Sequence, residues 1–260
     1  MNLSNKTVLI TGATGGIGSA IALQMSEAGA NLLLTGRNPE KLKVLKQQIP
    51  SAELCVADLA QSADRAKLVT KAQRLMVDIV INVAGANELA LLSDTSDDKI
   101  AQLVQTNLTT PMLLARDLLP QLSARPEAAI VNVGSILGSI GYPGSTLYCA
   151  TKFGLRGFTE ALRRELADSH VAVIYFAPRA TATAMNADKA VAMNQDLGVA
   201  MDAPEWVAEQ LVNLLKRRRP HSAYLGWPEK LFVKINGILP KLVDGALLKQ
   251  LPIIRRYAGQ

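Results

Sequence analysis

The chain has 260 residues, of which 49% are hydrophobic and 19% charged, a balance that predicts one folded domain with a large core and excludes a disordered protein. The net charge of +6 comes from the C-terminal segment: residues 216–260 hold ten basic and two acidic side chains, whereas residues 1–215 hold 18 basic and 20 acidic ones. No apolar run reaches the ~18 residues that a membrane-spanning helix needs, which excludes helix insertion into a bilayer.

Short apolar runs alternate with longer amphipathic stretches. The runs are rich in Val, Ile and Leu without strict alternation, as expected of parallel strands that are covered on both faces. The predicted strands are Thr7–Thr11, Asn31–Thr35, Ala52–Val56, Asp78–Val83, Ala128–Gly134, Val171–Phe176 and Ala223–Leu225. The predicted helices are Gly16–Ala28, Pro39–Gln48, Ser62–Leu75, Asp97–Leu122, Ser145–Asp168 and Pro204–Lys216. This alternation predicts an α/β fold, a doubly wound parallel sheet of the Rossmann type.

The predicted organisation is a single domain over residues 1–226, followed by a basic amphipathic C-terminal extension over residues 227–260. The chain starts without the basic and apolar segments of a secretory signal, so we expect a cytoplasmic protein. Cys55 and Cys149 fit that location, because both lie in segments with a core pattern and are expected to be reduced thiols. His170 and His221 lie apart from the other candidate site residues, and we predict no metal site.

A glycine-rich segment leads from the first predicted strand into the first predicted helix. Glycines at such a turn let the backbone approach a pyrophosphate, which the positive N-terminal end of the helix attracts. Its position within a β-α-β unit favours a dinucleotide site over a plain tight turn. The candidate cofactor-binding residues of this segment are Gly12, Thr14, Gly15, Gly16, Ile17 and Gly18.

The end of the second predicted strand indicates which dinucleotide is bound. NAD-binding chains carry an acidic residue about 20 positions after the glycines, where it holds the ribose hydroxyls. Here the sequence has Gly36 and Arg37 and no acid. Arg37 suits a 2′-phosphate, so the sequence predicts NADP(H), with Arg37 as the one available cation. The alternative is that Arg37 is a solvated residue at a helix start.

Tyr148 and Lys152 are four residues apart on one face of a predicted helix. The lysine ammonium should lower the pKa of Tyr148 from about 10 toward working pH. Such a tyrosine can exchange a proton with a carbonyl or alcohol oxygen. Ser135 ends a predicted strand, at the edge where open parallel sheets bind ligands, and its hydroxyl could donate to the same oxygen.

These segments, in this order, resemble the short-chain dehydrogenase/reductase family over residues 5 to about 226. The glycine segment is similar to the family's Thr-Gly-x-x-x-Gly-x-Gly motif, and the 13-residue spacing of Ser135 and Tyr148 also matches. Further matches are Asp58-Leu59, Asn82-Val83-Ala84-Gly85, Asn107 and Pro178-Arg179-Ala180-Thr181-Ala182-Thr183, in which Val83, Arg179 and Thr181 depart from the family pattern.

The resemblance implies a catalytic role for four residues. Tyr148 would be the acid/base, Ser135 would hold the substrate oxygen, and Lys152 would tune Tyr148 and bind the nicotinamide ribose. Asn107 would support a water that links Lys152 to solvent. The resemblance also implies a dimer or tetramer and further cofactor contacts from Asp58, Leu59, Asn82, Ala84, Gly85, Pro178, Thr181 and Thr183.

The basic tail carries apolar groups at three- and four-residue spacing with lysines between them, most clearly over Leu231–Val243. This pattern suits an element that lies at the inner face of a membrane, although packing on its own domain or on a subunit remains an alternative. Pro228, Pro240 and Pro252 should break the tail into short pieces. Arg217-Arg218-Arg219 follows a predicted helix without interleaved aromatic residues, so nucleic-acid binding is not expected.

The sequence therefore predicts an NADP(H)-dependent oxidoreductase that interconverts a ketone or aldehyde and an alcohol. The tail and the apolar segment near Met185 and Met193 favour a hydrophobic, lipid-like substrate. The alternatives are a 3-oxoacyl-carrier-protein reductase of fatty acid synthesis and a non-catalytic NADP-binding redox sensor.

Overall fold

The computed structural model describes residues 1–184, 188–217 and 222–259. Within these ranges seven strands form one sheet: β1 (Thr7–Thr11), β2 (Asn31–Gly36), β3 (Glu53–Val56), β4 (Ile79–Asn82), β5 (Ala128–Val133), β6 (Val171–Ala177) and β7 (Ala223–Tyr224). The α-helices are α1 (Gly16–Glu27), α2 (Pro39–Gln48), α3 (Ser62–Arg74), α4 (Asp97–Val104), α5 (Thr110–Ser123), α6 (Thr146–Glu165), α7 (Asp188–Asp196), α8 (Pro204–Leu215), α9 (Glu229–Ile238) and α10 (Pro240–Ala258).

All strand pairs are parallel, in the order β3-β2-β1-β4-β5-β6-β7. The chain reverses its direction across the sheet between β1 and β4, and open α/β sheets bind ligands at the carboxyl ends of the strands on either side of such a point. Thr11 is in register with Asn82, so the glycine segment after β1 and the residues after β4 begin side by side. The predicted doubly wound fold is confirmed.

The two faces of the sheet bury separate clusters, because successive side chains of a strand point to opposite faces. On one face, Val8 and Ile10 of β1 belong to the cluster that includes Ile21 of α1 and Leu211 of α8. On the other face, Leu9 belongs to the cluster that includes Leu114 of α5. Burial on both faces explains why the strand sequences are continuously apolar.

The predicted helix Asp97–Leu122 is not continuous. A π-helical turn, Gln105–Thr109, separates α4 from α5. The extra residue in such a turn disturbs the regular hydrogen-bond ladder, and π-turns occur frequently at functional sites. The other predicted elements of residues 1–226 agree with the structure to within three residues at each end.

The C-terminal extension is more regular than we predicted. Pro228 and Pro240 stand at the starts of α9 and α10, where proline is tolerated. Pro252, however, lies inside α10 and does not end it, so that part of the prediction is wrong. Ile254 and Ala258 are buried against the body of the protein, and this packing holds the last turns of the helix. Among the described residues no helix has the length and hydropathy needed to cross a membrane.

Candidate active site

The glycine segment closes one side of a cleft at the carboxyl edge of the sheet. Gly12 has φ +62°, and a Cβ on it would lie 2.7 Å from the Cα of Ala84. A Cβ on Gly16 would lie 2.7 Å from the methyl carbon of Thr183. Both positions therefore need glycine, the first because of its backbone angle and its contact, the second because of its contact alone.

The N-terminus of α1 opens into this cleft. Gly15 stands at the cap position, and no described side chain supplies the cap hydrogen bond. The first backbone N–H groups of a helix have no partner within the helix, and the helix dipole makes this end positive. Backbone donors and close-packed glycines together fit a pyrophosphate, so these residues are suited to a dinucleotide cofactor.

Two cations line the far end of the cleft, where an adenosine group would lie. Arg37 is there as predicted, and Lys41 of α2 lines the same end, so the expectation of a single available cation is wrong. Lys41 is placed by the Asn38 cap, whose side-chain oxygen accepts a hydrogen bond from the Lys41 backbone N–H at 3.0 Å. The sequence carried the cap, but only the structure shows which way the first turn of α2 faces. Asp58 and Leu59 line the same region.

Ser135 lies immediately after β5, beside the side chain of Tyr148. The Ser135 Oγ accepts a hydrogen bond from the Leu137 N–H at 3.1 Å and interacts with the Tyr148 hydroxyl. Tyr175 of β6, which the sequence analysis missed, donates its hydroxyl to the Ser135 carbonyl at 3.0 Å and accepts from the Ser135 N–H at 3.2 Å. The structure therefore brings the predicted serine and tyrosine together.

Tyr148 and Lys152 share a face of α6, with the Lys152 Nζ 5.6 Å from the centre of the tyrosine ring. The Nζ donates to the Val133 carbonyl at 2.9 Å. Burial lowers the pKa of Lys152 to about 8. Burial also raises the pKa of Tyr148 to about 12, with the Ser135 hydrogen bond opposing the rise. Our expectation of a lowered tyrosine pKa is therefore wrong for this structure, because burial of the hydroxyl raises its pKa by more than the Ser135 hydrogen bond lowers it.

Asn107 lies in the π-helical turn behind the cleft wall. Its side chain accepts from the Ala86 N–H and donates to the Ala86 carbonyl, both at 2.8 Å, and it donates to the Thr151 hydroxyl at 3.1 Å. A Cβ added to Gly85 would lie within 4 Å of both the Asn107 Oδ1 and the Lys152 Nζ. Asn107 thus fixes the segment after β4 to α6 next to Lys152, without itself lining the cleft.

Asn82 is the other predicted site residue that the structure places outside the cleft lining. It is buried, and its side-chain amide donates to the Asn132 Oδ1 at 2.8 Å in the neighbouring strand. The remaining predicted cofactor residues line the cleft: the glycine segment, Arg37, Asp58, Leu59, Ala84, Gly85, Tyr148, Lys152, Pro178, Thr181 and Thr183.

Arg179, where the family pattern has glycine, links two segments at the mouth of the cleft. Its guanidinium pairs with Asp202 through hydrogen bonds of 2.8 and 2.9 Å, and with Glu229 of α9 at 3.3 Å. Its side chain packs on Gly226, where a Cβ would lie 2.5 Å from the Arg179 Cδ. Arg179 therefore holds the start of α9 beside the segment that follows β6.

Met185, Arg218, Arg219 and His221 lie outside the described residues.

The cleft has a volume of about 830 Å³, within the range of ligand sites. Its walls change character along its length. The end near the glycine segment is formed largely by backbone and small residues, whereas the end beyond Tyr148 is apolar. The side chains of that second end come from five parts of the chain: Leu89, Ile140, Met193, Phe232, Val243 and Leu247.

The comparisons with known proteins agree with this geometry. A family model described as short chain dehydrogenase matches residues 6–194. The chain is 34% identical over 179 residues to the 3-oxoacyl-[acyl-carrier-protein] reductase FabG of Rickettsia bellii, covering 68% of this chain and 73% of the relative. It is 35% identical over 186 residues to nodulation protein G of Rhizobium meliloti, covering 70% of this chain and 76% of the relative.

Solved structures are similar over a larger share of the chain. A dehydrogenase/reductase from Sinorhizobium meliloti is 26% identical, with a TM-score of 0.77 over 86% of this chain and 95% of that one. A 3-ketoacyl-(acyl-carrier-protein) reductase from Brucella melitensis, complexed with NADH, shares the fold at 23% identity, with a TM-score of 0.79 over 87% of this chain and 99% of that one. The chain belongs to the short-chain dehydrogenase family and is an oxidoreductase with a nicotinamide cofactor.

Proposed function

We propose that this protein is an NADP(H)-dependent oxidoreductase that interconverts a ketone or aldehyde and an alcohol, with Tyr148 as the acid/base. The observation that carries the proposal is the arrangement of Ser135, Tyr148 and Lys152 in one cleft, between the glycine segment and the apolar end. We call that apolar end, lined by Leu89, Ile140, Met193, Phe232, Val243 and Leu247, the apolar chamber. Each of the three side chains has a separate task in that arrangement.

Ser135 and Tyr148 supply two hydroxyl groups at the position where a substrate oxygen would lie. NADPH, when bound, supplies the hydride that adds to the carbonyl carbon. The Tyr148 hydroxyl gives its proton to the carbonyl oxygen, and the product is the alcohol; oxidation runs the same transfers in reverse. With its pKa raised to about 12, the Tyr148 hydroxyl is protonated at neutral pH and holds the proton that reduction needs.

Lys152 and Asn107 support that proton transfer. The Lys152 ammonium lies beside the Tyr148 ring and stabilises the phenolate that remains after the proton has left. Asn107, fixed to Ala86 and Thr151, would position a water that returns a proton from solvent by way of Lys152. Ser135, with its backbone already fixed, offers a hydrogen bond to the developing charge on the substrate oxygen.

The preference for NADP(H) rests on the far end of the cleft. Arg37 and Lys41 supply two positive charges there, and a 2′-phosphate would be the partner of both. Replacement of Arg37 by Asp should raise the KM for NADPH by at least tenfold and leave that for NADH less affected, as loss of a charge pair requires. Equal KM values for the two cofactors in the wild-type enzyme would contradict the NADP(H) assignment.

The apolar chamber supports a hydrophobic, lipid-like carbonyl substrate. The similar FabG proteins, which are 3-oxoacyl-[acyl-carrier-protein] reductases by name, favour a 3-oxoacyl compound as the specific alternative. A panel of short- and long-chain ketones, aldehydes and 3-oxoacyl thioesters, followed by NADPH oxidation, tests both ideas. Long chains should be preferred by at least tenfold in kcat/KM; equal rates for short and long chains would remove the hydrophobic substrate from the proposal.

The proposal includes a homo-oligomer in the cytoplasm, with residues 227–260 as an extension of the catalytic domain that contacts a membrane surface. The packing of α9 and α10 on the body of the protein supports the extension, and the positive charge of this segment supports the membrane contact. The oligomer is carried over from the family resemblance, and the location from the sequence expectation of a cytoplasmic protein. Light scattering of the purified protein gives the oligomeric state directly. A monomer at micromolar concentration would remove the assembly from the proposal.

A further inference from the structure

The helix pair α9–α10 covers the apolar chamber with one of its faces. The inner residues of α10 recur at helical spacing: Val243, Leu247, Gln250, Ile254 and Ala258. Val243 is buried in a cluster with Ile136 and Ile140, next to the catalytic serine. The Asn236 side chain of α9 donates to the Ser139 carbonyl at 2.8 Å, which ties the pair to the same loop.

The opposite face of the helix pair is apolar as well, yet it is open to solvent. Ile238 is 78% exposed, Leu248 64%, Leu242 63% and Leu239 55%. Trp227, just before α9, is 69% exposed. Single exposed apolar residues are ordinary on protein surfaces, but a group of this kind on one short segment marks a contact surface. We call these five residues the outer face.

The charge of the segment indicates what contacts the outer face. Residues 227–260 hold six basic and two acidic side chains, and one of the acids, Glu229, is paired with Arg179. Lys230, Lys234, Lys241 and Lys249 are exposed beside the apolar residues. A second copy of the chain would bring a positive surface against a positive surface, whereas anionic lipid headgroups complement it and the bilayer interior accepts the apolar groups.

We propose that the outer face docks on an anionic phospholipid bilayer and that the helix pair passes a lipid-like substrate from that bilayer into the chamber. The route follows from position, because the helix pair has the solvent-facing apolar surface on one side and the chamber lining on the other. Phe232, which is 42% exposed and also lines the cleft, lies where the two sides meet. This inference rests on the proposed carbonyl chemistry for its substrate, but docking itself is measured without turnover.

The test is co-sedimentation of the full-length protein with vesicles of phosphatidylcholine, alone or mixed with phosphatidylglycerol. We expect binding to the mixed vesicles only, and weaker binding as salt is raised. The double variant Lys234→Gln/Lys241→Gln should bind about 25-fold more weakly, at about fivefold for each cation. The pair Ile238→Ser/Leu242→Ser should weaken binding as well.

Val44→Ser is the matched control, because Val44 is 56% exposed on a helix that also carries lysines but lies away from the helix pair. It should bind vesicles like the wild type. The docking proposal would be overturned if the wild type bound both vesicle types equally or bound neither. It would also be overturned if the outer-face variants bound as well as the wild type. Loss of oligomers in Ile238→Ser/Leu242→Ser without vesicle binding by the wild type would assign the face to a second copy instead. Turnover of a water-soluble ketone should be unchanged in these variants. A wild type that does not turn over this ketone would contradict the proposed function, whatever the result for vesicle binding.

Tyr175 is a second residue whose part in the site follows from its contacts. Its side chain is 1% exposed. Its hydroxyl accepts a hydrogen bond from the Ser135 N–H and donates one to the Ser135 carbonyl. Gly134 and Gly138 leave the space that this ring occupies, since a Cβ on either would overlap it. The hydroxyl also lies 3.5 Å from the Lys152 carbonyl, so one buried group contacts the chain at two members of the catalytic set.

We infer that Tyr175 is a positioning residue, which fixes the Ser135 backbone so that its Oγ faces Tyr148. This inference rests on the proposed role of Ser135. In Tyr175→Phe the Ser135 N–H loses the Tyr175 hydroxyl, and the Ser135 carbonyl keeps only the Gly138 N–H at 2.9 Å. We expect kcat to fall about tenfold or more, since small misplacements in a site are costly. The KM for NADPH should change much less than kcat, because Tyr175 contacts Lys152 at its backbone carbonyl, whereas the Lys152 Nζ is held by the Val133 carbonyl.

Tyr224→Phe is the matched control: its ring lies 6.0 Å from that of Tyr175, and its hydroxyl bonds to Ser139 instead. It should keep kcat within about twofold. The decisive measurement is Tyr175→Phe in a Ser135→Ala background, where it should cost nothing further if it acts through Ser135. The same additional loss in both backgrounds would overturn the inference, while an inactive wild type would indicate failure of the proposed function.

Discussion

The two ends of the cleft are built in different ways. The cofactor end is shaped by backbone: Gly12 and Gly16 leave no room for a Cβ, and the N-terminus of α1 presents its N–H groups. The substrate end is shaped by side chains from distant parts of the chain, from Leu89 to Leu247. The family model ends at residue 194, before α9 and α10, so part of the substrate end lies outside it.

This difference indicates which end of the cleft determines cofactor binding and which determines substrate preference. A site shaped by backbone tolerates few residue types, because a single added carbon collides with a neighbouring segment, at Ala84 or Thr183. A chamber of apolar side chains tolerates substitution but changes shape with each one. Changes at the cofactor end should therefore abolish function, whereas changes at the substrate end should alter preference.

The largest effect should come from Gly12→Ala. The new Cβ would meet Ala84 at 2.7 Å on a residue whose φ is +62°, so the segment must move and NADPH binding should be lost. Strain of this kind also costs about 1–3 kcal/mol of stability. Isothermal titration with NADPH measures the first effect. Gly157→Ala, where a Cβ meets nothing within 4 Å, is the control and should bind normally; unchanged binding by Gly12→Ala would break the comparison.

A smaller effect should follow from Leu247→Ala in the chamber. The KM for a long-chain ketone should rise about tenfold through lost apolar contact, with the Kd of NADPH unchanged. Its neighbour Leu248, which is 64% exposed, provides the control Leu248→Ala, for which both values should stay at the wild-type level in the absence of vesicles. If Leu247→Ala weakened NADPH binding as much as substrate binding, the two ends would not be independent.

A third effect concerns pH and acts on stability, with the smallest change for each step of the experiment. The pKa of Lys152 is lowered by burial to about 8, so between pH 8 and 10 the folded protein holds fewer protons than the unfolded chain. Stability contributed by this group therefore rises with pH across that window, by about 1 kcal/mol per pH unit. Urea unfolding of the wild type and of Lys152→Met at pH 7, 8, 9 and 10 gives the free energy of unfolding of each. The difference between the two at each pH isolates the contribution of Lys152. A difference that is constant with pH would contradict the buried, weakly basic lysine.

Much of this architecture could be predicted from the sequence, because the strands are buried runs with a glycine segment at a fixed place. The positions of Ser135, Tyr148 and Lys152 were predictable for the same reason. The direction of the Tyr148 pKa was not, since it depends on how much water the fold removes. Lys41 and Tyr175 were missed because their places at the cleft depend on how separate segments pack together. The predicted break at Pro252 was wrong because packing of α10 outweighed the effect of the proline on the helix.

The central claim is that Tyr148 transfers the proton in a carbonyl reduction driven by NADPH. Turnover by Tyr148→Phe, measured as NADPH oxidation with the best ketone of the panel, tests it directly alongside the Kd for NADPH. We predict that kcat falls by about 10²–10⁴-fold, the range for loss of a general acid, while NADPH binds with unchanged affinity. A Tyr148→Phe enzyme that keeps wild-type turnover would contradict the account, and a redox output that survives in this variant would favour a sensor.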